Sequence, residues 1–565
     1  MKNIFLYLII VSGMLAVSQY VTAQSDYIGL GSKQYNLLNR LDIKLKDDSV
    51  LSFSAAKPYN RKIITQRIEY IDSLYKSGAL PVSLSAIDRY NIRSLLMSNA
   101  EWTKAFGDSF HVKKPLFGRF FVTPAHLYET YSKDFVLVVD PVWNLQMGKS
   151  SDVKQTLFFN TRGVTARGRV GNIGFYTYLT DNQERDPQFV QDYVGRHYGL
   201  PGAGYYKAFH NNGYDYFDAR GGIDFSTGKY CTFRFGYDKL FIGDGYRSLF
   251  LSDFSNNYLY LQMDVQIRSF SYKSVYAELI APFNPSADRD TVRYKNYMAL
   301  HRLGIQVNRW LNIGLYENVL YNGRNGIELS YLNPVIFYRS IEMQLGSGNS
   351  KATVGVDVKA NVSCKLQWYG QLLIGEFVLD EILHYNRHSW LNKQAVQVGG
   401  RYLDVAGVKN LDLQAEVNIV RPYVYQHNDS ATTFAHYNTP LAHPAGANFK
   451  ELVVIANYQP FAKVYLTGKL FGRKQGLDSA GYNMGSDIFR SYNSRPRNYG
   501  LYTSVGIPAS SWLYSLAASY EIGENLFFDL SVNRRNYNVQ GQPAQTATFF
   551  MVGLRRNIGR RTFEF

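Results

Sequence analysis

The fragment DEILHYNRH, residues 380–388, places Glu381, His384 and His388 at helical i, i+3 and i+7 spacing. A carboxylate and two imidazoles so spaced can reach one metal ion. The spacing is not HExxH, however, and the fragment falls in a connection between strands. A solvated polar loop without metal is therefore expected. Two other stretches suit sugar recognition. RHYGLPGAGYYKAFHNNGYDYF (196–217) and GDGYRSLFLSDFSNNY (243–258) interleave Tyr with Arg, Asn and Asp. Aromatic faces stack on sugar faces, and guanidinium and amide groups bond hydroxyls and carboxylates. Arg196, Tyr205, Tyr206, Tyr246 and Arg247 are the candidate glycan contacts. Tyrosine-rich loops are also ordinary at the rim of a barrel, so both readings stand. The chain contains no GxSxG elbow, no P-loop and no CxxC pair. No enzymatic activity, no cofactor and no nucleic-acid partner are expected.

The elements that carry these loops are strands. In YCTFRFGYDK (230–239), Cys231, Phe233, Phe235 and Tyr237 oppose Thr232, Arg234, Gly236 and Asp238. In KNLDLQAEVNI (409–419), Leu411, Leu413, Ala415, Val417 and Ile419 oppose Asp412, Gln414, Glu416 and Asn418. Such segments, one face apolar and one polar, have the ~10-residue length of a tilted membrane-crossing strand. About eighteen of them follow one another from residue 134 to 558. Short turns (Gly171-Asn172, Asn308-Arg309, Pro460-Phe461, Gly523-Glu524) alternate with long connections (184–214, 243–256, 322–349, 426–449, 475–509). That alternation belongs to a transmembrane antiparallel β-barrel with periplasmic turns and extracellular loops. Cys231 and Cys364 read as apolar, lipid-side residues of distant strands and not as a disulfide.

The N-terminus reads as a signal peptide over residues 1–23. It has Lys2, an apolar run from Ile4 to Val17, and small residues Val21-Thr22-Ala23 before the cut. Residues 24–132 read as a small helical region on the periplasmic side, ahead of the barrel at 133–565. One helix is expected over Arg61–Lys76, with Ile64, Ile68 and Ile71 on one face. A second is expected over Ala86–Ser98, capped by Ser85 with Asp88 three residues on. Tyr, Phe and Trp make up 15% of the chain, as the aromatic girdles of a barrel require. The net charge of +16 favours acidic partners such as lipopolysaccharide or anionic glycans, or else reflects cations spread through a polar lumen. The closing GRRTFEF sets Phe563 and Phe565 in alternation, like the C-terminal signal read by the barrel-insertion machinery.

One connection has a helical grammar of its own. In SYLNPVIFYRSIEMQLGSG (330–348), Asn333 is a favoured N-cap, Pro334 suits the first helical position, and Gly346 or Gly348 ends the run. Arg339 and Glu342 are neighbours on one face. Ile336, Tyr338, Ile341 and Leu345 are too apolar to stand in water. The helix is expected to fold inward and line the barrel mouth.

The order of signal peptide, helical region and barrel, with Tyr-Leu-Asn-Pro at 331–334, resembles the Wzi-type outer-membrane proteins of capsule assembly. Residues 34–62 and 317–342 resemble more closely their Bacteroidetes relatives, the RemB group of gliding motility. The resemblance implies an outer-membrane protein of a Gram-negative bacterium, set in outer-membrane lipid and lipopolysaccharide. It implies partners among surface polysaccharide or components of a gliding machinery. A porin-like channel for a polar or anionic solute is the alternative.

Overall fold

The computed structural model describes residues 26–104, 110–132, 134–228, 230–284, 292–323, 326–346, 348, 350–376, 378–479 and 481–565. Residues 1–23, expected to be a signal peptide, lie outside them. Eighteen antiparallel strands form a closed barrel. In chain order they are β1 (Phe135–Ser150), β2 (Leu157–Val170), β3 (Ile173–Arg185), β4 (Gly213–Thr227), β5 (Cys231–Asp238) and β6 (Tyr258–Ile267). Next come β7 (Phe270–Ile280), β8 (Lys295–Gln306), β9 (Leu311–Asn322), β10 (Ser350–Asn361), β11 (Leu366–Ile374) and β12 (Gln394–Tyr402). The last six are β13 (Leu411–Val420), β14 (Phe449–Phe461), β15 (Val464–Leu477), β16 (Ile507–Gly523), β17 (Leu526–Val539) and β18 (Gln545–Arg556). Each strand pairs with its neighbours in sequence, and β18 closes on β1 in the register Phe549↔Ser150 to Arg556↔Trp143. Closure removes every free sheet edge, which a strand in hydrocarbon cannot leave unpaired.

Period-two alternation sorts the wall. Leu315 on β9, Val356 and Val358 on β10 and Phe235 on β5 are exposed outward. Tyr316, Asn318, Arg234 and Asp357 point into the lumen and are buried there. Cys231 lies on the outward face. Cys364 sits in the turn between β10 and β11 rather than on a strand, and both thiols are free.

The lumen is filled from three directions. At the short-turn end, helices α1 (Gln34–Leu45), α2 (Arg61–Lys76) and α3 (Ala86–Met97) pack around Leu41, Ile68, Ile71, Ile92 and Leu95. Ser85 and Asp88 form the expected capping box on α3. The unit is pinned to the wall by charge. Asp42 accepts from Lys359 Nζ at 2.8 Å and from Gln367 at 3.0 Å, and Arg40 pairs with Asp404 at 3.2 Å and with Asp412. From the long-loop end, the connection 239–257 descends until Phe241–Ile242 pairs with Ala56–Lys57 of the N-terminal unit. Its Phe250 stacks on Tyr316 of β9, with centroids 4.3 Å apart. Beyond Arg556 the chain enters the lumen as a tail. Arg561 pairs with Glu184 at 2.7 Å, and Glu564 with Lys469 at 2.7 Å.

Candidate functional site

A helix does line the barrel mouth, but it is not the one the sequence suggests. It is α4 (Gln188–His197), in the connection between β3 and β4. Pro187 precedes it, and Tyr198 ends it in the left-handed conformation, its N–H donating to the Val194 carbonyl. Phe189, Val190, Tyr193 and Val194 form its buried face. Phe189 packs on Phe549 of β18, and Tyr193 lies 4.9 Å from the Phe565 ring of the tail. The C-terminal aromatics thus end inside the lumen beneath α4. Phe563 is buried with Phe159 and Phe189, off the outer face of the last strand. The tail leaves the wall because Arg560, Arg561 and Glu564 find lumenal partners.

The polar edge of α4 divides two clefts. One, of about 880 Å³, is lined by Gln191, Arg196, Tyr206, His210, Tyr537 and Gln545. The other, of about 840 Å³, is lined by His197, Arg473, Gln475, Asp487, Phe489 and Arg535. Arg196, Leu477 and Tyr537 belong to both. Among the described residues no carboxylate lies within ion-pair distance of Arg196, Arg473 or Arg535. Arg535 instead stacks its guanidinium over Phe189 (4.5 Å) and Tyr537 (4.7 Å). Burial raises the Asp487 carboxyl above the usual range, which weakens the acid facing these cations. Burial, helped by the Arg196 charge, lowers the His197 imidazole to about 4. The clefts therefore offer guanidinium groups outside any ion pair, flat aromatic faces and amides, beside the carboxylates Asp192, Asp478 and Asp487. That combination has the chemistry to receive carboxylate-bearing, hydroxyl-rich molecules.

The five candidate glycan contacts separate. Arg196 and Tyr206 line the clefts, Tyr206 edge-on to Tyr214 at 5.0 Å. Tyr205 stands on the rim, 53% exposed. Tyr246 and Arg247 lie deep in the lumen and anchor the inserted connection. Their backbone N–H groups donate to Glu416 at 2.7 and 3.1 Å, and the Arg247 side chain reaches Glu451 at 3.3 Å. They are corrected from loop contacts to struts, since the buried carboxylates Glu416 and Glu451 and the half-buried Glu564 outcompete solvent for them. Arg473 and Arg535 were the missed residues. Their signal is an arginine on the polar face of a strand, near the end opposite the short turns.

The segment 330–348 is also corrected. Its helix, α5, spans Tyr338–Leu345, with Phe337 and not Asn333 at the cap position. Asn333 accepts from the Val335 N–H at 3.1 Å in a turn, and Pro334 precedes the helix in that turn. Most of all, α5 packs on the outside of the barrel. Tyr331, Tyr338 and Ile341 cover Tyr297 and Ala299 of β8, Val319 and Tyr321 of β9, and Ala352 of β10. All five share the face of the exposed Leu315. The reason is Glu317, on that same outward face. It accepts from the Tyr338 and Arg339 N–H groups, each at 2.9 Å, and lies 2.8 Å from His301 Nε2. Arg339 pairs with Glu342.

Glu381, His384 and His388 do not converge. Glu381 accepts from Tyr499 at 3.3 Å, and His384 faces Asp380 at 3.2 Å. No metal-ligand cluster occurs among the described residues.

No family model matches the chain, and no curated protein sequence matches it. Among solved structures, the chain is similar to Wzi, an outer-membrane protein involved in group 1 capsule assembly in Escherichia coli and described as a carbohydrate-binding β-barrel. Identity is 13%, coverage 94% of this chain and 99% of that one, and the TM-score 0.52. OprD of Pseudomonas aeruginosa matches over 75% of this chain and 96% of its own, at 11% identity and a TM-score of 0.41. What the chain shares with Wzi is the fold: a transmembrane barrel of the outer-membrane kind.

Proposed function

We propose that this protein is a non-catalytic outer-membrane barrel that holds acidic cell-surface polysaccharide in the clefts beside α4. Short turns then face the periplasm and long loops the exterior. The observation that carries the reading is the unpaired trio Arg196, Arg473 and Arg535 beside Tyr537 and Phe489, at the loop end of a lumen closed behind it. The described carbohydrate binding of Wzi supports it. The resemblance of residues 34–62 and 317–342 to the RemB group supports a role in surface gliding for the same polysaccharide-bearing face. The channel alternative requires a continuous lumen, against which stand the N-terminal unit, the 239–257 connection and the tail.

The test is polysaccharide binding by the purified full chain and its Arg196→Ala, Arg473→Ala and Arg535→Ala variants. Each lost charge-assisted contact should weaken binding of an acidic polysaccharide by about tenfold, equivalent to about 1.4 kcal/mol. Neutral polysaccharide should be far less affected. Equal binding by wild type and the triple variant would remove the clefts from consideration. In cells, a deletion strain should lose polysaccharide retention or colony spreading, and the triple variant should not restore it.

A further inference from the structure

The geometry points to segment 329–345 as an intramembrane strap, whose exposed edge is covered by the acyl chains of the surrounding membrane lipid. This rests on the outer-membrane reading above. Glu317 is six residues from the short-turn end of β9 and five from its loop end. At ~3.3 Å per residue and a tilt of ~40°, it stands ~15 Å above the periplasmic rim, within an apolar belt ~25 Å tall. The N-terminus of α5 is tied to that carboxylate, so the strap has come down from the loops onto the lipid-facing wall. Tyr272, near the short-turn end of β7, donates its hydroxyl to the Pro334 carbonyl.

The composition of the outer edge fits the depth. Leu329, Val335, Phe337, Met343 and Leu345 are exposed by 69, 88, 57, 72 and 55%. Left in water, each of these side chains would forfeit the ~1.5–3 kcal/mol that full burial supplies. Against lipid it costs nothing, and it continues the outward surface of Leu315, Val356 and Val358. The charged side chains between 329 and 345 are Arg339 and Glu342, and they pair with each other. A bare Glu317 on this wall would be expensive in hydrocarbon. The α5 N–H groups and His301 satisfy it, and the Tyr338 ring, stacked 4.4 Å from His301, seals it.

The experiment uses the full chain with Cys231 and Cys364 replaced by Ser. Single cysteines are placed at Val335, Met343, Leu315 (wall) and Lys207 (water-exposed loop), and each carries a fluorophore. In vesicles of phosphatidylcholine with brominated acyl chains, probes at 335 and 343 should be quenched as strongly as at 315, and several-fold more than at 207. On intact cells a membrane-impermeant maleimide should label 207 and spare 335 and 343. Quenching at 315 but not at 335 or 343 overturns the strap. If cells nevertheless spare those two sites, a protein and not lipid covers the edge, which overturns it as well. Absence of quenching at 315 would instead overturn the barrel's placement in a membrane.

Discussion

Individual residues in this barrel do two opposite jobs, and burial tells them apart. Lumenal charges that meet a partner are struts; lumenal charges that meet none are candidates for a ligand. Lys359 is of the first kind. Its ammonium group is 2.8 Å from Asp42 and 2.6 Å from Ser54 Oγ, with both members of the ion pair almost fully buried. It joins β10 to the N-terminal unit. Lys359→Ala leaves Asp42 buried without its counter-charge, a situation that costs about 3–5 kcal/mol. The expected result is faster protease release of the N-terminal unit and a denaturation midpoint lowered accordingly. Replacing both partners, Lys359→Met with Asp42→Leu, should recover most of the loss. A single variant as stable as wild type would show that the pair does not hold the two bodies together. Arg196, Arg473 and Arg535 are of the second kind, and only their surroundings reveal it. In the sequence an unpaired lumenal arginine and a paired one look the same.

At the scale of elements, the closing loops carry a pH dependence. His197 on α4, together with His427 and His436 in the connection between β13 and β14, are each lowered to about 4 from 6.5, chiefly by burial. A histidine depressed in the fold binds its proton less readily folded than unfolded. Its contribution is therefore complete above about 6.5 and is lost as pH falls toward 4. Each group is worth on the order of 2–3 kcal/mol across that window. Amide exchange in 186–212 and 421–448, corrected for intrinsic rate, should accelerate between pH 7 and pH 4.5 while the strands stay protected. A flat response would mean these histidines are free to protonate in place.

The elements also show what was legible. Period-two alternation and the contrast of short turns with long connections revealed all eighteen strands, because membrane-spanning strands answer to one constraint on each face. The apolar face of α2 and the capping grammar of α3 were legible for the same local reason. The siting of α5 was not, since an amphipathic helix reads identically whichever surface it covers. Yet a signal existed. Along β9 the outward positions run Leu311, Ile313, Leu315, Glu317, Val319, Tyr321, and the matching face of β8 holds His301. A lone acid and an imidazole in an apolar register announce that something must cover them. Helix α1 and the inward turn of the tail had no comparable marker, because their partners in the wall are spread from residue 184 to 529.

For the whole molecule, closure decides between holding and conducting. The N-terminal unit blocks the short-turn end, the 239–257 connection crosses the middle, and the tail occupies the wall beside Lys469. These three are not independent plugs. Ser54 bonds Asp244, Phe241–Ile242 pairs with Ala56–Lys57, and Tyr246 and Arg247 both bond Glu564. A chain of contacts therefore runs from the N-terminal helices through the inserted connection to the C-terminus under α4. In planar bilayers the wild-type protein should show no channel steps. Shortening 243–254 to a flexible linker removes the middle of that chain, which frees the tail from Tyr246 and Arg247 and the N-terminal unit from Asp244. Discrete conductance should then appear, larger than after loss of the tail alone, because one excision loosens all three obstacles. It should also weaken polysaccharide binding, since Phe565 and Phe254 support Tyr193 and with it the face of α4. Steady conductance by the wild type would favour the channel, and a shortened variant that stays silent would show that the connection is not the keystone of the closure.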